Sequence, residues 1–133
     1  MAKRPVLEDF GGMYCVYCPE GHAVMETMQS STAEEMVMLN YHVGSYAFPL
    51  GDDPDLRSDY GDAIAYQTGL TGYPAGTVNR RVFPGYEQGN DGTTALSRAH
   101  WEMAAQAIAE EISPVNIAAE ATLDIGTNEL EVY

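Results

Sequence analysis

The chain has 133 residues, with six Lys and Arg against twenty Asp and Glu, so its formal net charge is −14. This length accommodates one compact domain with at most a short appendage, and a hydrophobic content of 45% is enough for a packed core. The scarcity of clustered basic residues argues against binding to nucleic acid or to an anionic membrane surface. The sequence also predicts no membrane-spanning segment and shows no signal peptide.

Strand and helix signals alternate along the first half of the chain. Apolar and β-branched residues predict strands over residues 5–10 and 37–43, and the second strand is expected to be central in its sheet. A helix is predicted over residues 19–29, where Pro19 suits the first turn because its missing N–H is not needed there. Residues 44–56 contain several turn-forming residues and are predicted to be a loop.

Two further helices are predicted in the remainder of the chain. The first covers residues 57–68 and ends at Gly69, a residue type that terminates helices. Its expected inner side consists of Tyr60, Ala63 and Ile64. The second covers residues 94–112 and begins with a cap from Thr93 or Thr94. Its apolar residues at helical spacing are Trp101, Ala104, Ile108 and Ile112.

The other segments of the second half favour β-structure. Val82-Phe83 is a candidate partner strand before the long helix, and residues 115–125 alternate between apolar and polar types as a half-buried strand does. A turn and a second strand from Leu130 follow. We therefore divide the chain into a domain of residues 1–113 and the start of a β-rich domain at 114–133. The chain ends inside a strand, so we expect a fragment of a longer protein; the alternative is a complete protein with a terminal strand pair.

The two cysteines of the chain are the strongest chemical signal in it. Cys15 and Cys18 form a C-x-x-C motif between a predicted strand and a predicted helix, an order typical of redox sites. Unpaired N–H groups and the dipole at a helix N-terminus stabilise a thiolate and lower its pKa. The interpretation is that Cys15 is the exposed nucleophile and that Cys18 is the buried thiol that resolves the mixed disulfide.

Two other interpretations of the cysteine pair remain open. A zinc site needs four ligands, and His22 and His42 are the residues that would complete a Cys2His2 set. Alternatively, Cys15 and Cys18 form a static disulfide in an exported protein. Such a small ring removes little loop entropy, so a purely stabilising role is weakly motivated.

Three segments of the sequence resemble the thioredoxin-like superfamily. They are Val6-Leu7-Glu8-Asp9-Phe10, then Cys15-Val16-Tyr17-Cys18, and finally Gly69-Leu70-Thr71-Gly72-Tyr73-Pro74-Ala75. The resemblance covers residues 6–112 and implies an α/β fold, a thioredoxin-like central mixed sheet of four or five strands flanked by helices. X–Pro statistics alone favour a trans bond before Pro74. The resemblance instead implies a cis proline beside the cysteine pair.

The same resemblance directs attention to the acids before the motif. Asp9 lies six residues before Cys15, where thioredoxins carry a buried acid proposed to assist deprotonation of the resolving cysteine. Neighbouring strand residues point to opposite faces, so we expect only one of Glu8 and Asp9 to be buried. A buried carboxyl has a raised pKa and can transfer a proton. A solvent-facing acid is the alternative.

A narrower resemblance is to the Omp-twenty-eight-related outer-membrane lipoproteins. It rests on Leu7-Glu8-Asp9-Phe10-Gly11-Gly12, on the stretch from Cys15 to His22, on His42-Val43-Gly44-Ser45-Tyr46 and on the stretch from Gly72 to Arg80. In these proteins a signal peptide precedes the domain and a β-sandwich-like region follows it. The resemblance implies an extracytoplasmic location, in the periplasm or at the outer membrane.

Together these features predict a thiol–disulfide oxidoreductase that needs no cofactor. Cys15 attacks, Cys18 resolves, Asp9 transfers the proton and Pro74 pairs with the substrate backbone. The expected substrate-contacting surface consists of Tyr14, Tyr17 and Tyr73. The expected partner is a protein that contains a thiol or disulfide, or a small thiol. The alternative function is a non-catalytic binding module with an inert disulfide.

Overall fold

The structure, a computed structural model, describes residues 1–32 and 36–133. Its fold is mixed α/β. In chain order the elements are β1 (Val6–Gly11), α1 (Cys18–Thr32), β2 (Val37–His42), α2 (Asp59–Thr68), β3 (Ala75–Val78), α3 (Trp101–Ala109), β4 (Ala121–Asp124) and β5 (Glu129–Val132). Short 3-10 helices cover Ser45–Ala47 and Arg98–His100.

The main sheet has the strand order β2-β1-β3 in the described part of the chain. β1 runs parallel to β2 and antiparallel to β3. The expectation that the second strand is central is therefore wrong. β1 takes the middle position because its residues from Leu7 to Gly11 are buried on both faces of the sheet, whereas most of β2 is exposed or half-buried. The candidate strand Val82-Phe83 is not a strand either.

The alternation of side chains along β1 divides the core into two clusters. On one face, Leu7 packs with residues from α1, β3 and α3. On the other face, Phe10 packs with Val43 after β2 and with Ala65 of α2. Helices thus cover both faces, α1 and α3 on one and α2 on the other. This arrangement explains why a strand of only six residues can organise the domain.

The largest buried side chain is that of Trp101, which is fully buried at the start of α3. Its indole N–H donates a hydrogen bond to the carbonyl oxygen of Leu96 at 3.1 Å, so the polar atom of the ring has a partner. Two glycines make room for the ring. A Cβ atom at Gly76 would lie 2.8 Å from the indole, and one at Gly21 would lie 3.2 Å from it.

Helix α2 ends as predicted but turns a different side inwards. Ser58 caps its N-terminus, and Gly69 ends it in the left-handed region with φ 69°. The buried residues are Gly61, Ala65 and Thr68. Tyr60 and Ala63 are exposed, so their predicted inward orientation is wrong, and Ile64 is half-buried. Small residues occupy the inner side because Gly61 lies close against the side chains of Tyr41 and Val43.

The long helix predicted over residues 94–112 is shorter in the structure. Leu96 is extended because its N–H and carbonyl exchange hydrogen bonds with Gly76 at 2.7 and 3.0 Å. The helical segment therefore begins only after it, and neither Thr93 nor Thr94 caps it. Ile112 is exposed rather than buried. Beyond the helix end, the Glu111 carboxylate forms ion pairs with Lys3 and Arg81, which the sequence pattern did not reveal.

The C-terminal segment contains the predicted hairpin, in a shorter form. β4 and β5 pair antiparallel, but residues 115–120 are not a strand. Apolar side chains occupy one face of the hairpin, where Leu123 pairs with Leu130 and Ala121 with Val132, and all four are exposed. The division of the chain at residues 113 and 114 stays a prediction.

We expect Gly76→Ala to destabilise the fold by about 1–3 kcal/mol, because the new methyl group would overlap the buried Trp101 ring and the Leu7 side chain. The measurement is the urea midpoint of unfolding. Gly72→Ala is the matched control, since a Cβ atom there meets nothing within 4 Å. Equal midpoints for the two variants would contradict this account of the core.

Candidate functional site

The two cysteines form a disulfide at the junction between β1 and α1. Their Cα atoms are 5.4 Å apart, and Cys18 is the first residue of α1. Both residues are buried, with 6% of Cys15 and 3% of Cys18 exposed. The expected contrast between an exposed Cys15 and a buried Cys18 is therefore absent in the oxidised state. The exposed surface of the motif belongs instead to Val16 and Tyr17, the residues between the cysteines.

Gly11 at the end of β1 provides the space for the Cys18 sulfur. A Cβ atom at Gly11 would lie only 2.6 Å from this sulfur. The sulfur thus occupies the position that a side chain of β1 would otherwise fill. A glycine at a strand end is expected for a sharp exit of the chain alone. Its second role depends on the contact with α1, which local sequence does not reveal.

Pro74 lies against the same helix. The Tyr73-Pro74 peptide bond is cis, as the resemblance implies. The ring of Pro74 packs on the first turn of α1, where a Cβ atom at Gly21 would lie 3.2 Å from its Cγ. The structure therefore brings the cis-proline loop and the helix that starts at Cys18 into contact.

The side chain of Gln88 holds the cis-proline loop from the other side. Its Oε1 accepts hydrogen bonds from the N–H groups of Thr71 at 2.9 Å and Gly72 at 3.3 Å. Its Nε2 donates to the carbonyl oxygens of Gly72 at 3.3 Å and Pro74 at 3.5 Å. Gln88 lies in an irregular segment between β3 and α3, and no local signal in the sequence distinguishes it from the other residues there.

The three tyrosines expected to frame the substrate surface have different roles. The Tyr14 hydroxyl donates a hydrogen bond to Asp53 and accepts one from the N–H of Leu50. Tyr14 therefore holds the loop over residues 44–56 in place. The hydrogen bond to Asp53 raises the pKa of the Tyr14 hydroxyl. Tyr73 is half-buried, with its ring edge-on to that of Tyr46.

Tyr17 is the tyrosine of this set that exposes most of its side chain beside the disulfide, with 58% accessible. The guanidinium of Arg98 lies 5.7 Å from its ring centre, a cation–π distance. Arg98 also pairs with Glu20 in the first turn of α1. A partner that approaches the disulfide therefore meets an aromatic ring backed by a neutralised charge pair.

Both acids of β1 are buried, which corrects the expectation that only one would be. Glu8 is 4% exposed and Asp9 is fully buried, because helices cover both faces of this central strand. Glu8 accepts two hydrogen bonds from Arg80, each 2.8 Å long, and one from the Tyr41 hydroxyl. The hydrogen bonds from Arg80 lower the pKa of Glu8. The acid on this face is thus a paired structural charge.

Asp9 has a different environment on the opposite face. Its Oδ2 accepts a 2.6 Å hydrogen bond from Asn40 and lies 3.4 Å from Nε2 of His22. Its Oδ1 has no hydrogen-bond partner among the described residues. Burial raises the pKa of Asp9, and the contacts with Asn40 and His22 offset only part of that effect. Burial therefore favours the protonated form of this acid.

Asp9 and Cys18 lie on the same side of β1. Asp9 precedes Gly11 by two residues, so the side chain of Asp9 and the Cβ position of Gly11 are on the same face of the strand. They are separated by about 6.6 Å along it. Cys18 lies over Gly11 and His22 lies over Asp9, and one helical turn of four residues advances about 6 Å. The strand and helix repeats therefore match, and they put Asp9 on the same face as Cys18, one strand repeat away along β1.

The described residues contain no group of three or more His, Cys, Asp and Glu side chains that could hold a metal ion. His22, the first candidate zinc ligand, faces Asp9 and Asn40. Within the same part of the chain, no helix has the length and apolar character needed to cross a membrane.

Comparisons with known proteins add information about the fold. No family model matches the chain, and no curated protein matches it. The crystal structure of a protein from Agrobacterium tumefaciens, solved by a structural genomics consortium, is similar with a TM-score of 0.55 and 21% identity. The match covers 81% of this chain and 45% of that one, so this chain spans less than half of the other's length. The likeness concerns the fold alone.

We expect Asp9→Asn to raise stability at pH 7, because a neutral amide does not bear the cost of burying an ionised carboxylate. Because the folded-state pKa of Asp9 is raised, the native protein loses stability as pH rises from the ordinary carboxyl pKa, about 3.9, through the folded-state pKa. Denaturant unfolding of both proteins between pH 3.5 and 8 measures this. A stability difference that does not change with pH would contradict it.

We expect Gln88→Ala to destabilise the protein by about 1–3 kcal/mol, because the cis-proline loop loses the four hydrogen bonds of that side chain. Amide hydrogen exchange should accelerate at Thr71 and Gly72 in particular. Gln67→Ala, an exposed change on α2, is the matched control. If both variants exchanged at the same rate in this loop, Gln88 would not be holding it.

Proposed function

We propose that this chain is a thioredoxin-like domain that exchanges thiols and disulfides with a partner. One observation carries the proposal. The Cys15–Cys18 disulfide lies at the N-terminus of α1, and the cis-proline Pro74 packs on the first turn of the same helix. A thiolate at a helix N-terminus is stabilised by the unpaired N–H groups, which is the electrostatic requirement of a reactive cysteine.

The proposed reaction begins from the reduced pair. The Cys15 thiolate attacks one sulfur of a disulfide in the partner, forms a mixed disulfide and expels the other sulfur as a thiolate. Cys18 loses its proton, and its thiolate attacks the Cys15 sulfur. The partner's second thiolate leaves, and the Cys15–Cys18 disulfide forms. Two electrons pass from the protein dithiol to the partner, and an external dithiol returns the protein to its reduced state.

The other site residues support this sequence of steps. Asp9 accepts the Cys18 proton, because it is a buried acid on the face of β1 over which Cys18 lies. Pro74 and its neighbours offer backbone to the partner chain, and Tyr17 provides exposed aromatic surface beside the motif. Tyr14 and Tyr73 contribute indirectly, since both fasten the loop over residues 44–56 next to the motif.

The resemblance to Omp-twenty-eight-related lipoproteins belongs to the same proposal. It implies a location outside the cytoplasm, where the redox environment allows disulfides to form and to persist. The partner is then a protein that contains a thiol or disulfide, or a small thiol. The net charge of −14 disfavours anionic small thiols relative to neutral or basic partners.

A second candidate function is a non-catalytic binding module with an inert disulfide. The observation that favours it is the burial of both cysteines, which leaves little sulfur surface for a partner in the oxidised state. The two candidates differ in reduction potential. Exchange enzymes have values of about −120 to −270 mV, whereas structural disulfides lie below about −300 mV.

We expect redox titration of the pair to give a midpoint within the range of exchange enzymes, and reduced protein to cleave a protein disulfide substrate. Cys18→Ser should trap a stable mixed disulfide on Cys15, because the resolving thiol is missing. Cys15→Ser is the matched control and should trap none. A pair that stays oxidised below about −300 mV, or trapping that is equal in both variants, would favour the inert module.

A further inference from the structure

We propose that His22 is the residue through which the buried Asp9 carboxyl exchanges its proton with solvent, an inference that rests on the function proposed above. Asp9 is fully buried, so a proton that it takes from Cys18 needs a way out. The imidazole of His22 bridges that gap. Its Nε2 lies 3.4 Å from Oδ2 of Asp9, while its side chain is 53% exposed.

Asn40 fixes the geometry of this contact. Its Nδ2 donates to Oδ2 of Asp9 at 2.6 Å and lies 3.3 Å from Nε2 of His22. A neutral imidazole can accept a hydrogen bond from the Asn40 amide at Nε2, and an imidazolium can donate a hydrogen bond to the Asp9 carboxylate. The same arrangement therefore accommodates both protonation states of His22 with the side chains in place.

The outer side of His22 opens on a cleft between α1 and β2 with a volume of about 460 Å³. The other residues that line it are Met25, Glu26, Gln29, Met38 and Asn40. Glu26 is the one acid among these lining residues. On the side of Asp9, the neighbours are the neutral Asn40 of β2 and the backbone of Gly76 in β3.

The proton balance of the resolving step is then complete. The Cys18 thiol gives its proton to the Asp9 carboxylate, and the Cys18 thiolate attacks the mixed disulfide. Asp9 passes the proton to Nε2 of His22, and the imidazolium releases it to water in the cleft. One proton leaves for each disulfide formed in the protein. His22 acts through Asp9 and does not touch the partner, so it is a positioning and proton-transfer residue.

The test separates the two chemical steps with 5,5′-dithiobis(2-nitrobenzoate) and the reduced chain in a stopped-flow instrument. The first thionitrobenzoate is released when Cys15 attacks, and the second when Cys18 resolves. We expect His22→Ala to leave the first release unchanged and to slow the second by about tenfold or more at pH 7. Added imidazole should restore part of the second rate, which a merely structural role would not explain.

Two further variants keep the outcome decisive. His22→Gln retains a polar side chain but cannot carry a proton, so it should fold and be as slow as His22→Ala. His100→Ala, on a 3-10 helix where the ring packs against Tyr86, is the matched control and should behave like the unchanged protein. In an Asp9→Asn background, His22→Ala should have no additional effect on the second release, because both variants interrupt one route.

The failures are distinguishable. An unchanged second release in both His22 variants, or additive effects with Asp9→Asn, would overturn the relay and leave the proposed function intact. If the unchanged chain released no thionitrobenzoate, thiol exchange itself would be wrong and the relay with it. If imidazole accelerated the second release equally in His22→Ala, which vacates the space of the ring, and in His22→Gln, which fills it, imidazole would be acting from free solution and not in the place of the His22 ring. This result would also count against His22.

Discussion

The burial of β1 on both faces is the constraint on which the rest of the structure depends. A strand covered by helices on both sides directs alternate side chains into two separate environments, one beneath α1 and α3 and the other beneath α2. Leu7 and Phe10 anchor the two clusters. Because only Gly12, Met13 and Tyr14 separate β1 from the cysteine motif, the position of β1 also limits where α1 begins.

Because helices cover both faces of β1, other side chains pack closely against the backbone of β1 and its neighbour β3. These close contacts explain which features could be predicted from the sequence and which could not. The motif, the helix that follows it and the stop at Gly69 depend on local signals, so they were predictable. The role of Gly11 depends on contact with a sulfur seven residues later, and that of Gly76 on an indole twenty-five residues later. No pattern of neighbours encodes such contacts. The same holds for Gln88, whose partners lie fourteen to seventeen residues earlier.

The misplaced start of the last helix has a related cause. The prediction starts the helix at Thr94 because a threonine there is a suitable cap, but Leu96 exchanges two backbone hydrogen bonds with Gly76. A tertiary pairing therefore overrode the helical pattern.

Net charge was also uninformative about individual residues. Five of the six Lys and Arg side chains form ion pairs within the described residues, so the scarce positive charge is used inside the fold.

The two adjacent acids of β1 lie on opposite faces of the strand and have different electrostatic environments. Glu8 accepts two hydrogen bonds from the Arg80 guanidinium, which favours the ionised form of Glu8. The same ion pair holds Arg80 against the sheet. Asp9 meets an amide and a half-exposed imidazole, and it retains one oxygen without a partner. A fixed ion pair resists a change of charge, whereas a carboxyl with a neutral donor and a titratable neighbour permits one. The period of two along β1 thus puts a paired charge on the α2 side and, on the side of Cys18, a buried acid whose pKa is raised.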